Sequence, residues 1–298
     1  MRLVADPDTV QVGLIGTGIG PSLSPALHER EAAALGLDYR YTRFDLDALG
    51  VPPDDVGDLL ARLRDAGLRG VNVTHPVKQR ILAHLDALTA DAAAIGAVNT
   101  VVFDEGRAVG HNTDWSGFAA ARRDGLPGAG LAQVAVLGAG GAGAAAAHAL
   151  LTDGAATVTV LDVDGTRAGD LAARLAATFG AGRSAAAPTT ELPDVLAGAD
   201  GLVHATPTGM AEHPGLPVAP VLLRPGLWVA EIVYRPLRTA LLDAADAAGC
   251  PTLDGGLMAV HQAADALALF TGRRPDAARM RRHLQELVTE PGEDHRAG

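Results

Sequence analysis

The sequence predicts an α/β protein with two domains. Short runs of β-branched residues alternate with longer stretches rich in alanine and leucine, a pattern typical of parallel sheets covered by helices. The chain has 298 residues, and a domain usually holds about 150. Between Asp124 and Gly130 the composition shifts to glycine and proline, which indicates a passage from one domain to the next.

The first predicted domain begins with a strand at Val10 to Ile15. A helix follows, with Ser24 as its N-cap and Pro25 in its first turn. Asp104-Glu105-Gly106 is typical of a hairpin turn. The remaining predicted strands are Tyr39 to Phe44, Gly70 to Val73 and Ala97 to Phe103, and the remaining predicted helices are Val56 to Ala66 and Val77 to Leu85.

The second predicted domain opens with an apolar strand at Gln133 to Leu137. It continues into a glycine-rich loop, a helix at Ala144 to Leu151 and a strand at Val158 to Leu161. Helices predicted at Leu257 to Phe270 and near Pro275 to Leu287 return to pack on the first domain. The polar segment beyond Thr289 is expected to fray.

Composition excludes several classes of function. The formal net charge of -11 disfavours a surface for nucleic acid or anionic lipid. A single cysteine, Cys250, excludes an internal disulfide and a thiolate zinc site. His28-Glu29 lacks a second histidine at metalloprotease spacing, so no metal is predicted. No secretion signal begins at Met1, and a cytoplasmic location is therefore expected.

The glycine-rich loop matches the G-x-G-x-x-G pattern and lies between a strand and a helix. Glycines let the backbone approach a pyrophosphate, whose charge the helix N-terminus stabilises. Asp162 follows nineteen residues after Gly143, where an acid can bind the adenosine ribose hydroxyls. An acid there favours NAD over NADP, although Arg167 is near, and a glycine turn without nucleotide is the structural alternative. The loop residues are Gly138, Ala139, Gly140, Gly141, Ala142 and Gly143.

A second group of residues suits proton transfer to an alcohol. Asn72-Val73-Thr74-His75-Pro76-Val77-Lys78 sets the only lysine of the chain just past a strand, and Asp114 and Asn99 offer a carboxylate and an amide. Lys78 could instead be a solvated helix residue. His75 and His111 could be site groups or local hydrogen-bonding residues, and Ser22 and Ser24 could be helix caps.

These segments, in this order, resemble the shikimate dehydrogenase family, including its quinate/shikimate branch, over nearly the whole chain. The matching pieces are Ser22-Leu23-Ser24-Pro25, Asn72-Val73-Thr74 with Pro76 and Lys78, Gly96-Ala97-Val98-Asn99-Thr100, Asn112-Thr113-Asp114, the glycine loop, Ala205-Thr206-Pro207 and Asp254 to Gln262. The resemblance implies an oxidoreductase that interconverts shikimate and 3-dehydroshikimate by hydride transfer to or from a nicotinamide cofactor. Its quinate/shikimate branch implies that quinate and 3-dehydroquinate are a second substrate pair.

The resemblance also implies roles for individual residues. Lys78 and Asp114 handle the hydroxyl proton, and Asp114 also binds substrate. The other implied substrate-binding residues are Ser22, Ser24, Thr74, Asn99, Tyr234 and Gln262. Besides the glycine loop and Asp162, the implied cofactor-binding residues are Thr206, Pro207, Ile232, Gly255 and Met258.

Three positions depart from the commonest family pattern. Asp162 stands where NADP-using members usually carry an Asn-Arg turn, which favours NAD. His204 precedes Ala-Thr-Pro where asparagine is usual, and Gly256-Leu257 inverts the usual order before Met258. Ser24 keeps the shikimate-type residue, where a threonine can occur in the quinate-oxidising branch.

The predicted organisation is a substrate-binding catalytic domain, residues 1–124 and 257–298, and an NAD-binding Rossmann domain, residues 125–256. The partner is a small hydroxy acid, and the chain is a monomer or a homodimer. The alternatives are a dedicated quinate, aminoshikimate or aminoquinate dehydrogenase, a non-catalytic NAD-binding sensor, and a methylenetetrahydrofolate dehydrogenase. The serines, with Asn99, Asp114 and Gln262, fit a small cyclic acid better than a folate.

Overall fold

The computed structural model describes residues 9–289. By their internal contacts, the described residues form two compact units: unit 1 comprises residues 9–87, 100–109 and 263–289, and unit 2 comprises Leu88–Asn99 and Gly110–Gln262. The prediction that the chain frays beyond Thr289 lies outside the described residues. Among the helices of residues 9–289, none is both long and apolar enough to cross a membrane.

The elements alternate along the chain as predicted for an α/β protein. The strands are β1 (Val10–Gly16), β2 (Tyr39–Asp45), β3 (Gly70–Val73), β4 (Ala87–Leu88), β5 (Thr100–Asp104), β6 (Arg107–His111), β7 (Gln133–Leu137), β8 (Thr157–Asp162), β9 (Ser184–Pro188), β10 (Gly201–His204), β11 (Trp228–Glu231) and β12 (Thr252–Leu253). The helices are α1 (Ser24–Ala34), α2 (Leu46–Leu49), α3 (Val56–Asp65), α4 (Ala90–Ile95), α5 (Thr113–Gly125), α6 (Gly141–Thr152), α7 (Gly165–Phe179), α8 (Leu192–Gly198), α9 (Ala240–Ala247), α10 (Gly255–Thr271) and α11 (Ala277–Thr289).

Unit 1 contains most of a mixed six-stranded sheet with the order β2-β1-β3-β5-β6-β4. Strand β1, next to the edge strand β2, pairs in parallel with β2 and β3, and β3 pairs antiparallel with β5. Glu105 and Gly106 join β5 to β6 with φ angles of 47° and 78°. Two successive positive φ values match a tight hairpin turn, which confirms the turn predicted at this point.

The C-terminal helices return to unit 1, as predicted. Phe270 of α10 packs where a side chain on Gly70 would stand, since a Cβ there would lie 2.6 Å from the Phe270 ring. The fully buried Glu31 of α1 accepts hydrogen bonds from the Asp276 N–H and from Arg279 Nε and Nη2, at 2.7, 2.8 and 2.6 Å. A buried carboxylate that is paired and hydrogen-bonded fixes the start of α11 to α1.

Unit 2 contains a six-stranded sheet with the order β12-β11-β10-β7-β8-β9, in which all neighbours are parallel. The chain order reverses between β7 and β10, and open sheets of this kind bind ligands at the carboxyl ends of the strands beside such a reversal. Small alanine side chains of α6 pack on valines of the sheet, among them Val134 and Val136. Aromatic residues make up only 3% of the sequence, so this core is built mostly of alanine, leucine and valine.

Three predicted boundaries were wrong in informative ways. The helix predicted at Val77 to Leu85 is a turn followed by a short 3-10 helix, Arg80–His84. The strand predicted from Ala97 begins only at Thr100, since the preceding residues serve α5, as described below. Leu23, and not Ser24, is the N-cap residue of α1.

Two helices begin earlier than predicted. Helix α6 starts at Gly141 instead of Ala144, so the end of the glycine motif forms its first turn. Helix α10 starts at Gly255 instead of Leu257, and Gly255 fits a crowded position, since a Cβ there would lie 2.5 Å from the Ile232 carbonyl oxygen.

Candidate active site

The loop that carries the lysine is hydrogen-bonded to the end of β1 in unit 1. Thr74 donates its backbone N–H to the Ile15 carbonyl at 2.9 Å, and the His75 carbonyl accepts from the Thr17 N–H at 3.0 Å. A Cβ on Gly16 would collide with the Thr74 methyl group. The glycine at the end of β1 therefore lets the loop after β3 lie directly against it.

Lys78 and Thr74 are both half-buried on this loop, whereas His75 is exposed. The chain has 24 lysines and arginines, and Lys78 is the only lysine. His75 contributes to the loop through its backbone carbonyl, as described above. The structure thus presents the predicted lysine and threonine at the carboxyl end of β3.

The amide of Asn72 belongs to a buried network behind this loop. Tyr41 donates its hydroxyl to Asn72 Oδ1 at 2.8 Å, and Asn72 Nδ2 donates to Thr100 Oγ1 at 2.9 Å. The network joins β2, β3 and β5 directly beneath Thr74. Sequence reasoning did not select Tyr41 or Thr100, because nothing local to either residue indicates a partner some thirty residues away.

Ser22 and Ser24 are half-buried at the start of α1. Ser22 Oγ accepts the Ser24 N–H at 3.3 Å, so Ser22 partly serves as a helix cap. The loop before them is held by Asp45, whose carboxylate accepts the Ile19 N–H at 2.9 Å. Arg43 donates to the Ser22 carbonyl at 2.7 Å. Both hydroxyls therefore stand on a fixed turn beside a helix N-terminus, which favours a carboxylate.

In unit 2, Asn99 fixes the carboxylate predicted to take part in proton transfer. Asn99 Nδ2 donates to Asp114 Oδ1 and to Thr113 Oγ1, each at 2.9 Å, and its Oδ1 accepts the Thr113 N–H at 2.6 Å. Asn112 caps α5 by accepting from the Asp114 and Trp115 N–H groups. Asp114 is 6% exposed. The first turn of α5 is thus built to hold one carboxylate in one orientation.

Gln262 lies against the same helix. A Cβ on Gly117 would come within 2.7 Å of the Gln262 backbone nitrogen, so the glycine allows α5 and α10 to touch. Gly117 is three residues after Asp114 and hence on the same face of α5. Gln262 donates its side-chain amide to the Ala259 carbonyl at 2.9 Å. Tyr234 is half-buried in the loop after β11.

The glycine loop has the geometry of a phosphate-binding turn. Gly138 adopts a φ of 113°, and a Cβ there would lie 2.7 Å from the Ala205 carbonyl oxygen. A Cβ on Gly143 would collide with the Gly138 carbonyl. A Cβ on Gly140, by contrast, would meet nothing within 4 Å. Two glycines are required by packing, and the third leaves open space at the N-terminus of α6.

Asp162 ends β8 beside this loop and is 8% exposed. Its Oδ2 accepts the Ala139 N–H at 2.7 Å, and its Oδ1 accepts from the Asp164 N–H and from Arg167 Nη2, each at 2.9 Å. The acid therefore fixes the glycine loop. Arg167 compensates part of its charge.

The other predicted cofactor residues follow β10 and β11. The Thr206 methyl group would lie 3.2 Å from a Cβ on Gly138, and a Cβ on Gly255 would lie 2.7 Å from the Val233 carbonyl, next to Ile232. Pro207 is exposed and Met258 is buried. Unit 2 thus brings the predicted cofactor residues to the carboxyl ends of its strands and the start of α10, which is the edge where open parallel sheets bind ligands.

Comparisons with known proteins agree with these observations. The family model of the shikimate dehydrogenase substrate binding domain matches residues 14–101. The family model of the shikimate 5'-dehydrogenase C-terminal domain matches residues 258–285. The chain is 62% identical over 281 residues to shikimate dehydrogenase (NADP(+)) of Streptomyces avermitilis, covering 94% of this chain and 97% of that one. It is 45% identical to quinate/shikimate dehydrogenase (NAD(+)) of Corynebacterium glutamicum strain R, covering 94% and 99%.

A solved structure is similar over the same extent. The quinate dehydrogenase from Corynebacterium glutamicum in complex with NAD superposes with a TM-score of 0.88 at 44% identity, covering 94% of this chain and 99% of that one. The identities and the coverage together show that this chain belongs to the shikimate dehydrogenase family.

Proposed function

We propose that this chain oxidises the hydroxyl of shikimate that becomes the carbonyl of 3-dehydroshikimate, and catalyses the reverse reduction, with NAD as its preferred cofactor. Quinate is the proposed second substrate, since it differs from shikimate by a tetrahedral ring carbon with one extra hydroxyl. Burying that hydroxyl without a partner would cost about 1 to 3 kcal/mol. Shikimate is therefore the first expectation, with Ser24 as its shikimate-type residue.

The observation that carries the proposal is the lone lysine. Of the 24 lysines and arginines of the chain, the other 23 are arginines. Arginine cannot give up its proton in a protein. A lysine can give up its proton, and Lys78 is half-buried on a loop hydrogen-bonded to the end of β1 in unit 1. A reversible proton carrier at that position is what alcohol oxidation requires.

Oxidation would then proceed with balanced proton and hydride transfer. Neutral Lys78 Nζ takes the hydroxyl proton while the carbon that bears this hydroxyl loses its hydride. The C–O single bond thereby becomes a carbonyl, and the lysine side chain becomes an ammonium. When bound, the nicotinamide ring supplies the hydride acceptor. Asp114, held by Asn99, orients the reacting hydroxyl in this proposal. The remaining substrate contacts are assigned to Ser22, Ser24, Thr74, Asn99, Tyr234 and Gln262.

The preference for NAD rests on Asp162. A 2'-phosphate would face this carboxylate, and like charges repel. The bond from the Ala139 N–H keeps the carboxylate beside the glycine loop, and Arg167 offsets part of its charge. The relatives carry both cofactor names, so the ratio of rates with NAD and NADP tests this part separately.

The domain roles follow from the same assignment. Residues 1–124 with 257–298 are proposed as the substrate-binding catalytic domain and residues 125–256 as the NAD-binding domain, which the parallel sheet and glycine loop of unit 2 support. A cytoplasmic location and a monomeric or homodimeric state stay predictions.

The deciding experiment follows cofactor absorbance with purified protein at mildly alkaline pH. Shikimate and quinate are each tested against NAD and NADP, which gives four rates. Reduction of NAD by shikimate supports the proposal, whether or not quinate also reduces NAD in its own assay. Preference for NADP would contradict the argument from Asp162. No measurable rate in any of the four assays, together with demonstrable NAD binding, would favour a sensor or an enzyme that acts on an amino analogue.

A further inference from the structure

A buried chain of polar side chains runs beneath the loop after β10. His204 and Glu231 are the last residues of β10 and β11, stand opposite each other in the sheet, and are 0% and 2% exposed. His204 Nδ1 lies 2.8 Å from Glu231 Oε1, and His204 Nε2 lies 2.5 Å from Thr206 Oγ1. The imidazole therefore joins a buried carboxylate to the hydroxyl of a proposed cofactor residue.

The partners of Glu231 determine which nitrogen carries the proton. Its Oε1 also accepts the Val233 N–H, and its Oε2 accepts the Thr239 hydroxyl, each at 3.0 Å. Donors converge on both oxygens, as they do on an ionised carboxylate, which can only accept. The imidazole must then donate from Nδ1. In the neutral ring, Nε2 is left as an acceptor.

The consequence falls on Thr206. Its hydroxyl has one proton, and the hydroxyl donates that proton in its hydrogen bond to Nε2 of a neutral His204. The oxygen of Thr206 can then only accept further hydrogen bonds, as it does from the Thr208 N–H at 3.4 Å. The same bond fixes the rotamer of Thr206, with its methyl group packed beside Gly138 of the glycine loop.

We infer that His204 is a positioning residue for the dinucleotide, acting through Thr206. With Glu231 it holds the Thr206 hydroxyl as an acceptor-only group at the reversal point of the sheet, where a hydroxyl or amide N–H of the nicotinamide half of the cofactor can donate to it. The inference rests on the proposed function, because it assumes that this site binds a nicotinamide dinucleotide.

Substitutions of His204 separate its two bonds. An asparagine amide reaches about as far as Nδ1 and can keep the bond to Glu231, but it stops short of Thr206. A glutamine amide reaches about as far as Nε2 and can keep the bond to Thr206. His204→Asn should therefore weaken NAD binding roughly 3- to 10-fold, the usual range for one lost hydrogen bond. His204→Gln should recover most of that loss.

Thr206→Val supplies the matched control, because it leaves the buried His204–Glu231 pair in place. Its effect on the dissociation constant of NAD, measured by calorimetry without substrate, should equal that of His204→Asn. The double variant should be no weaker than either single variant. Additive effects, or wild-type affinity in His204→Asn, would overturn the inference. Circular dichroism and thermal midpoints establish that each variant is folded.

A spectroscopic signature tests the same inference without any ligand. In the ¹⁵N spectrum of the whole protein near neutral pH, His204, assigned by its loss in His204→Gln, should be the neutral form protonated on Nδ1. A ring protonated on Nε2 alone, or on both nitrogens, would overturn the inference. Wild type that binds NAD but turns over neither shikimate nor quinate would count against the proposed function only. Wild type that binds no dinucleotide would overturn both.

Discussion

The two units present their candidate site residues in opposite ways. In unit 1, Thr74 and Lys78 are half-buried on a loop, and the buried polar network lies behind them. In unit 2, Asp114 and Asp162 are themselves buried and also hold the backbone or side chains around them. The difference means that function and stability should be separable by mutation in unit 1 but coupled in unit 2.

Two of the buried histidines, one in each unit, show the same contrast. His28 of unit 1 packs against Tyr39 and Tyr41, and its Nδ1 lies 3.1 Å from the Tyr39 hydroxyl. Burial lowers the pKa of His28 to about 3, so it is a neutral core residue. His204 of unit 2 instead faces a carboxylate and continues to a proposed ligand residue. One histidine serves packing, and the other serves a site.

The largest expected effect is at Lys78, where the comparison predicts a loss of activity without a loss of stability. Lys78→Ala should lower kcat by about 10² to 10⁴, because the proton carrier is lost. Lys78→Arg keeps the charge and should lose nearly as much, since arginine cannot deprotonate. Thermal midpoints should stay near that of wild type. Near wild-type turnover in either folded variant would refute the assignment.

Acid should destabilise unit 1 through His28. The unfolded histidine takes up a proton below about pH 6.5, whereas the folded one does so only near pH 3. Stability is therefore lost as pH falls through that window. The stability advantage of wild type over His28→Phe should shrink by about 4 kcal/mol between pH 7 and pH 3, measured by urea unfolding. A difference that is constant with pH would contradict the neutral, buried state.

Asn99 tests the coupling expected in unit 2. Asn99→Ala removes three hydrogen bonds around Asp114, so the free energy of unfolding should fall by about 1 to 3 kcal/mol, and kcat should fall roughly tenfold or more. Asn112→Ala is the matched control: it removes the cap of α5, worth about 1 kcal/mol, but leaves the bond between Asn99 and Asp114. Equal losses of kcat in both variants would show that Asn99 has no special role in orienting the acid.

The smallest expected effect concerns the choice of cofactor. Asp162→Asn should raise the ratio of kcat/KM with NADP to that with NAD about tenfold, equivalent to about 1.4 kcal/mol. Asp164→Asn, which also removes an acid beside Arg167 but makes no bond to the glycine loop, should change the ratio less. A larger change in Asp164→Asn would transfer the specificity to that residue.

The sequence revealed the residues that lie at strand ends but not the partners behind them. The strand, loop and helix around Gly138 to Gly143 and the hairpin at Glu105 were predictable, because local chemistry dictates them. The bonds of Asn99 to Thr113 and Asp114, and of Tyr41 to Asn72, were not, because they join segments that only the tertiary fold brings together. His204 was noticed only as a departure from a family pattern, and Glu231 was missed, since neither has a local signal of pairing.

Isotope transfer tests the central claim most directly. Shikimate deuterated at the carbon that becomes the carbonyl of 3-dehydroshikimate is incubated with NAD and the purified protein, and the products are examined by mass spectrometry. The account predicts one deuterium in the reduced nicotinamide ring and none left at that carbon of the product. Product formation with no deuterium in the cofactor, or no product under conditions where NAD binds, would contradict it.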